Sequence, residues 1–232
     1  MLYHASCIEG AKQYLENDSV DLLIADPPYN LQFGGTTQTK DKKPRFDVFP
    51  NDRLSPQAYQ RFCMQWIYQA YRILKPGRHA YVFIDWRTYP DMVRWLRLAG
   101  FIIKNCIVWD KAVMGMGWQY RYQHELIIFA VKGEKRVRKV SSRRHSDVWR
   151  IPRIPGNRTA HPTEKPIELL KQIIELSSEA GEYVVDFFSG SGVAPVAAIE
   201  LNRNWTAFEL DEKWFEFSSN RINKTDTAIL GD

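Results

Sequence analysis

Asp26-Pro27-Pro28-Tyr29 carries the most specific chemistry in the chain. It follows the apolar run Val20, Leu22, Leu23, Ile24 and Ala25, which reads as a buried parallel strand closed by turn residues. Proline has a fixed φ and no N–H, so the backbone here offers carbonyl acceptors in place of donors. An acid, two prolines and an aromatic at a strand's carboxyl end form a rigid lip suited to a hydrogen-donating group such as an exocyclic amine. A Pro-Pro turn with Asp26 in a local hydrogen bond would use the same residues for structure alone. A second constellation lies far along the chain, where Asp186 to Gly192 reads as a strand-to-helix turn rich in glycine. Backbone can approach a ligand closely there. Glu209 closes the next strand 23 residues after Asp186, the logic of an acid that holds a ribose diol about 20 residues downstream of a glycine turn. Ser189-Gly190-Ser191-Gly192 is not G-x-G-x-x-G, and the chain has no Gly-Lys-Ser/Thr phosphate cradle. A tight turn would explain the glycines by themselves. Joined to Glu209 and the acid-proline lip, they describe a site for an adenosine ligand without a triphosphate.

The elements that must position these residues alternate. Leu2 to Ala5 reads as a short strand, Ile8 to Glu16 as a helix, and the strand ending at Asp26 follows. Residues 31–53 are rich in Gly, Thr, Lys and Asp, and are expected to form a mobile cover over the lip. Ser55-Pro56 looks like a cap and first helical residue, with the helix stopping at Lys75-Pro76-Gly77. A strand from His79 to Ile84, a helix from Tyr89 to Ala99, and strands over 101–109 and 125–131 come next. Helices are expected over 165–178, 193–201 and 212–222, with strands over 183–187 and 205–208. This pattern predicts one α/β domain over residues 1–232, a doubly wound, mostly parallel sheet of seven strands.

Composition bounds the rest. The chain has 232 residues, 44% hydrophobic and 25% charged, as in ordinary soluble proteins. No basic start leads into an apolar run and no stretch reaches membrane-spanning length, so a cytoplasmic, nucleoid-associated protein is expected. Cys7, Cys63 and Cys106 have no metal-ligand spacing, so no metal is expected. The net charge is +5, yet between Lys132 and Arg158 ten basic residues face only Glu134 and Asp147. That window (132–158) therefore holds +8 and leaves −3 for the rest. A basic stripe on a near-neutral domain is the electrostatic footprint of a nucleic-acid partner, although a solvated charged loop has the same composition. Lys135, Arg136, Arg138, Lys139, Arg143 and Arg144 are its candidate contacts. Pro152, Pro155 and Gly156 are expected to preclude regular structure in the window.

In motif order the sequence resembles the β-class amino-methyltransferases of DNA, which use S-adenosylmethionine. The motifs run from Asp26–Tyr29, through Val108-Trp109-Asp110-Lys111 and His124-Glu125-Leu126-Ile127, to His161-Pro162-Thr163-Glu164-Lys165-Pro166. They then continue with Asp186–Gly192 and Phe208–Glu212. The resemblance covers nearly the whole chain outside 34–53 and 132–147. It implies a circularly permuted Rossmann-like methyltransferase fold, in which residues 2–5 form the strand that would otherwise follow the C-terminal helix. It further implies that Asp186, Phe188, Gly190 and Gly192 contact the cofactor's methionine part, that Asp26 and Ser189 also bind the cofactor, that Thr163 and Lys165 hold its carboxylate, and that Glu209 holds its ribose. Thr163 and Lys165 would equally suit a helix cap and first turn. Many members have Gly-Asp-Cys where this chain has Ala5-Ser6-Cys7, so Ser6 and Cys7 stand where an adenine contact is expected. Phe187 replaces a common proline.

The chemistry then expected is methyl transfer to adenine N6 in DNA. Asp26 and the Pro27 carbonyl would accept the two N6 hydrogens. No cysteine nucleophile is required. A base inside a duplex cannot reach such a site, so it would be flipped out and stacked on Tyr29, with Asn30 and Trp118 as further nucleic-acid contacts. A short recognition site, or little sequence preference, is expected. Cytosine N4, an RNA adenine and a catalytically silent nucleic-acid-binding subunit are the alternatives. Cytosine-acting members more often carry Ser at the position of Asp26, and an intact lip and glycine loop argue against a silent subunit. Family members often pair, so a homodimer is a further expectation; a cognate nuclease is not legible in the chain.

Overall fold

The computed structural model describes residues 1–31, 51–117, 119–133, 137–142, 144–155, 159 and 163–230. The expected cover therefore lies almost wholly outside the described residues, as do Trp118, Lys135, Arg136 and Arg143. In chain order the elements are β1 (Leu2–His4), α1 (Cys7–Tyr14), β2 (Val20–Ala25), α2 (Pro56–Ile73), β3 (Leu74–Ile84), α3 (Tyr89–Leu98) and β4 (Phe101–Asp110). They continue with β5 (His124–Lys132), β6 (Val148–Arg150), α4 (Ile167–Ser177), β7 (Tyr183–Asp186), α5 (Val193–Glu200), β8 (Asn204–Glu209) and α6 (Glu212–Leu230).

All eight strands form one sheet in the order β1-β8-β7-β2-β3-β5-β4-β6. Every neighbouring pair is parallel except the two that β5 makes with β3 and β4. The sheet is thus doubly wound and mostly parallel, as expected, with one strand more than the seven counted from sequence. The additional strand is β6, three residues inside the basic window. It pairs Val108 with Val148 and Asp110 with Arg150, while the prolines act only after it ends. β1 lies beside β8 at one edge, in the place a strand following α6 would take.

Burial explains the layers. All six residues of β2 are buried, so it carries core on both faces, as a central parallel strand must. On one face Leu23 and Ala25 pack with Trp66 and Ile67 of α2, Ala11 of α1 and Leu96 of α3. On the other, Leu22 and Ile24 meet Leu169, Ile173 and Ile174 of α4 and Ala197 of α5. Each fully buried Leu or Ile contributes about 1.5–3 kcal/mol of apolar transfer.

α2 ends at Ile73, as the expected stop at Lys75-Pro76-Gly77 requires, but those residues then form a bulge inside β3. β2 advances from Val20 to Leu22 while β3 advances from Leu74 to His79. Pro76 cannot donate to a ladder, and Gly77 takes φ +78°, so the extra residues leave the sheet without ending the strand. Two of them are used: the ammonium of Lys75 lies 2.8 Å and the guanidinium of Arg78 3.3 Å from the buried carboxylate of Asp21. These ties pin the amino ends of the central strands, opposite the end that holds Asp26.

Candidate functional site

The acid-proline lip and the glycine turn are neighbours because β2 pairs with β7. Ile24 is opposite Asp186, and the Phe187 N–H donates to the Ile24 carbonyl at 3.1 Å. From β2 the chain crosses over to β3, on one side, and from β7 to β8 on the other. The gap between β2 and β7 is therefore the switch point where open α/β sheets place ligands. A cavity of about 970 Å³ opens there, and its walls include Asp26, Pro27, Pro28, Tyr29, Lys165 and Asp186. Ser6, Cys7, Thr163, Phe188, Ser189, Gly190 and Glu209 line it as well. Gly192 does not line it; this residue caps α5 in a left-handed conformation.

The cofactor half is organised by carboxylates and backbone donors. Glu209 accepts the Gly190 N–H at 2.7 Å on one oxygen and the Asp211 N–H at 2.8 Å on the other, tying the end of β8 to the glycine turn. Each oxygen keeps a further lone pair for a diol. Asp186 accepts the Phe188 N–H at 3.1 Å. Burial lifts its carboxyl to about 7, with the Phe188 N–H working against the shift and Asp26 and Glu209 adding to it. The Ser189 hydroxyl is buried in the cavity wall with no hydrogen-bond partner among the described residues. Such an atom is costly unless a ligand satisfies it. Phe188 presents an aromatic wall backed edge-on by Phe62 and Trp66. Ser6 caps α1 by accepting the Ile8 N–H at 3.2 Å. The buried Cys7 thiol is pushed up by desolvation and by Asp186 and Glu209, so it stays protonated and apolar in character.

On the other side of the cavity, both oxygens of Asp26 have partners. Tyr29 donates its hydroxyl to one at 2.7 Å, and the Lys165 ammonium lies 2.5 Å from the other. Lys165 also lies 3.4 Å from Glu125, and Glu125 lies 2.5 Å from Lys111. The Pro28 carbonyl accepts the Tyr59 hydroxyl at 2.8 Å, which fixes the lip to the first turn of α2. Lys165 precedes α4 and belongs to no helical turn; Pro166 is the residue at the cap, and it makes no side-chain cap bond.

Three residues expected to contact nucleic acid are placed elsewhere: Asn30, Arg138 and Lys139. Tyr29 donates its hydroxyl to Asp26 and lines the cavity. Asn30 is not free for nucleic acid: its amide accepts the Leu54 N–H at 2.7 Å and donates to the Leu54 carbonyl at 3.0 Å. With the Leu31 N–H donating to Asp52 at 3.0 Å, this joins the two ends of the 31–53 segment. Arg138 sits at the wrong end of the sheet. Its N–H donates to the Gly77 carbonyl, and its guanidinium pairs with Glu182 and, at 2.8 Å, with Glu179, all beside the amino ends of the strands. Lys139 is carried to the same end, since Ser141 is bonded to Leu176 and Glu175 at the foot of α4. Arg144 is exposed on the link toward β6.

Residues not singled out from sequence complete the cavity: Glu125, Lys111, Trp86, Arg87 and Arg153. Glu125 is the second residue of the antiparallel strand β5, whose amino end arrives where the parallel strands have their carboxyl ends. The motif around it was visible, but the strand's direction was not.

This arrangement is a Rossmann-like sheet with a ligand cavity at its switch point. Residues 20–220 match the family model N6_N4_Mtase, described as DNA methylase, and the chain belongs to that family. It is 28% identical over 249 aligned residues to the Type II methyltransferase M2.MboI of Moraxella bovis, covering 99% of this chain and 89% of that protein. Among solved structures, that of the M1.HpyAVI–SAM complex superposes with a TM-score of 0.68 at 23% identity, over 95% of this chain and 98% of the other. The PvuII DNA methyltransferase, described as cytosine-N4-specific, gives 0.74 at 16% identity, over 99% and 92%. These two likenesses speak to the fold.

Proposed function

We propose that this DNA methylase transfers a methyl group from S-adenosylmethionine to the N6 amine of adenine in DNA. The observation that carries the reading is the shared cavity, in which Asp26 of the lip and Asp186 of the glycine turn stand at the ends of paired strands. The cofactor fits the residues present: Ser189 offers an unpartnered hydroxyl, Gly190 leaves room for close approach, and Glu209 retains lone pairs for a ribose diol. When bound, it supplies a methyl group activated by sulfonium. Asp26 in place of Ser favours adenine over cytosine.

Adenine N6 is a poor nucleophile because its lone pair is delocalised into the ring. Asp26 and the Pro27 carbonyl accept the two N6 hydrogens, favouring a tetrahedral nitrogen whose lone pair points along the transfer axis. After transfer the nitrogen is cationic, and Asp26 takes its proton and releases it to solvent. Burial raises the Asp26 carboxyl, and Lys165 opposes that shift and favours the ionised acceptor.

DNA reaches the cavity across its mouth. Trp86, Val113, Met114, Met116, Tyr120 and Tyr122 are exposed large apolar residues on the loops that follow β3 and β4. Trp86, Val113, Met116 and Tyr122 line the cavity itself. The Arg87 guanidinium lies 5.8 Å from the Trp86 ring and 5.9 Å from the Tyr122 ring. Arg153 lines the cavity as well. Aromatic faces interleaved with guanidinium planes suit unstacked bases and phosphates.

Replacing Asp26 by Ala tests the reading. Transfer of labelled methyl to DNA should fall about a thousandfold, while S-adenosylmethionine binding by calorimetry persists. Nucleoside analysis of DNA treated with the wild-type protein should show N6-methyladenine. N4-methylcytosine there would move the assignment to cytosine, and an active Asp26→Ala variant would overturn the role of the lip.

A further inference from the structure

We infer that Glu125, seated by Lys111, is a positioning residue for Asp26, because it shares the Lys165 ammonium that is paired with one Asp26 oxygen and so sets how strongly that cation holds the Asp26 carboxylate. The inference rests on the reading above, since it concerns how Asp26 is kept available for the amine.

Four charged groups from four separate segments form a row at the cavity wall. Lys111 follows β4, Glu125 is the second residue of β5, Lys165 precedes α4 and Asp26 follows β2. Successive separations are 2.5 Å from Lys111 to Glu125, 3.4 Å from Glu125 to Lys165, and 2.5 Å from Lys165 to Asp26. Tyr29 bridges the two acids, 2.7 Å from Asp26 and 3.4 Å from Glu125. The signs alternate and the row is neutral as a whole, which is what allows four charges to stay together out of water. All four side chains are largely removed from solvent, Lys165 most completely.

Lys165 is already paired tightly with one oxygen of Asp26 at 2.5 Å, and without a second carboxylate its whole charge would fall on that acid. The second carboxylate competes for that ammonium. Lys111 then offsets the repulsion that Glu125 would otherwise exert on Asp26. Burial by itself would raise the Glu125 carboxyl, but Lys165 and Lys111 override it and hold the group at about 2. Glu125 is therefore a permanent charge rather than a proton carrier. The groups facing Asp26 are Lys165, Glu125, Tyr29 and Asp186, with Glu209 behind Asp186 and Lys111 behind Glu125.

The test is the pH profile of kcat for methyl transfer to a DNA duplex at saturating cofactor. Glu125→Gln removes a charge that raises the Asp26 carboxyl and leaves Lys165 to Asp26 alone. Its acid limb should move to lower pH, with the plateau kcat falling about tenfold. Lys111→Met leaves the row with excess negative charge, so its acid limb should move to higher pH. KM for the cofactor should stay within about twofold in both, since neither residue is asked to bind it. A purely structural role would lower thermal stability without opposite displacements of the limb. Limbs that stay put, or that move in the same direction in cofactor-binding variants, would overturn the inference. Should Glu125→Gln fail to bind cofactor, Lys111→Met decides alone, by an upward limb or an unmoved one. Wild-type protein that methylates no DNA would instead sink the reading beneath it, which separates the two failures.

Discussion

Gly192 shows how narrowly a single residue can be specified. It caps α5 at φ +77°, a region open to glycine at little cost. A Cβ added there would meet the Ser218 Cβ at 2.9 Å and its Cα at 3.3 Å, so conformation and space both exclude a side chain. Gly192→Ala should destabilise the protein by about 1–3 kcal/mol. The same strain would pass into the turn that carries Ser189 and Gly190, so cofactor affinity should fall in parallel. Chemical denaturation and calorimetry on the one variant would check both. Asn30 shows the opposite situation, in which residue type was right for nucleic acid but local geometry committed it to a neighbour. No pattern of types along the chain reveals that an amide is already taken.

Between elements, the contact that holds the amino half of the basic window is a buried network on His79. Its Nε2 lies 2.8 Å from the Arg138 carbonyl, which can only accept, so that nitrogen carries the proton. Nδ1 therefore accepts from the Ser177 hydroxyl at 2.8 Å, and Ser177 in turn accepts from Tyr81 at 2.8 Å. One network thus joins β3, α4 and the segment after β5. Burial lowers the imidazole to about 4. The unfolded chain takes up a proton near 6.5, and the folded protein does so only near 4. Stability is full above pH 6.5 and is lost as pH falls through that window, by about 3 kcal/mol for this group. Urea denaturation at pH 7 and pH 4.5 should show a smaller acid loss in His79→Gln than in wild type. An equal loss would mean that the carboxylates alone set the acid behaviour.

Across the whole molecule, the basic window does not act as one surface. Its first part descends to the foot of the sheet, where Arg138 pairs with Glu179 and Glu182 and Lys132 with Asp18. Its last part climbs beside β4, so that Arg153 lines the cavity, as Arg87 does. Arg153→Ala with Arg87→Ala should raise KM for DNA about tenfold and flatten its salt dependence by roughly two counterions. Arg138→Ala should leave that KM unchanged and cost about 1–3 kcal/mol of stability, because it strands the partly buried Glu182. Steady-state kinetics at two ionic strengths, with melting curves, would separate the two classes of arginine.

By itself the sequence determined the elements and the chemistry that could live at their ends. The alternation of apolar runs and amphipathic segments is local, so nearly every strand and helix was legible, as were the acid-proline lip, the glycine turn and Glu209. It did not determine which strand lies beside which. That β7 pairs with β2 and β5 runs against its neighbours are properties of long-range pairing. They decided that Asp26 faces Asp186, that Glu125 joins Lys165, and that Arg138 lies at the far end from both. β6 was missed for the same reason: three residues form a strand only because the exposed edge of β4 is there to pair with them.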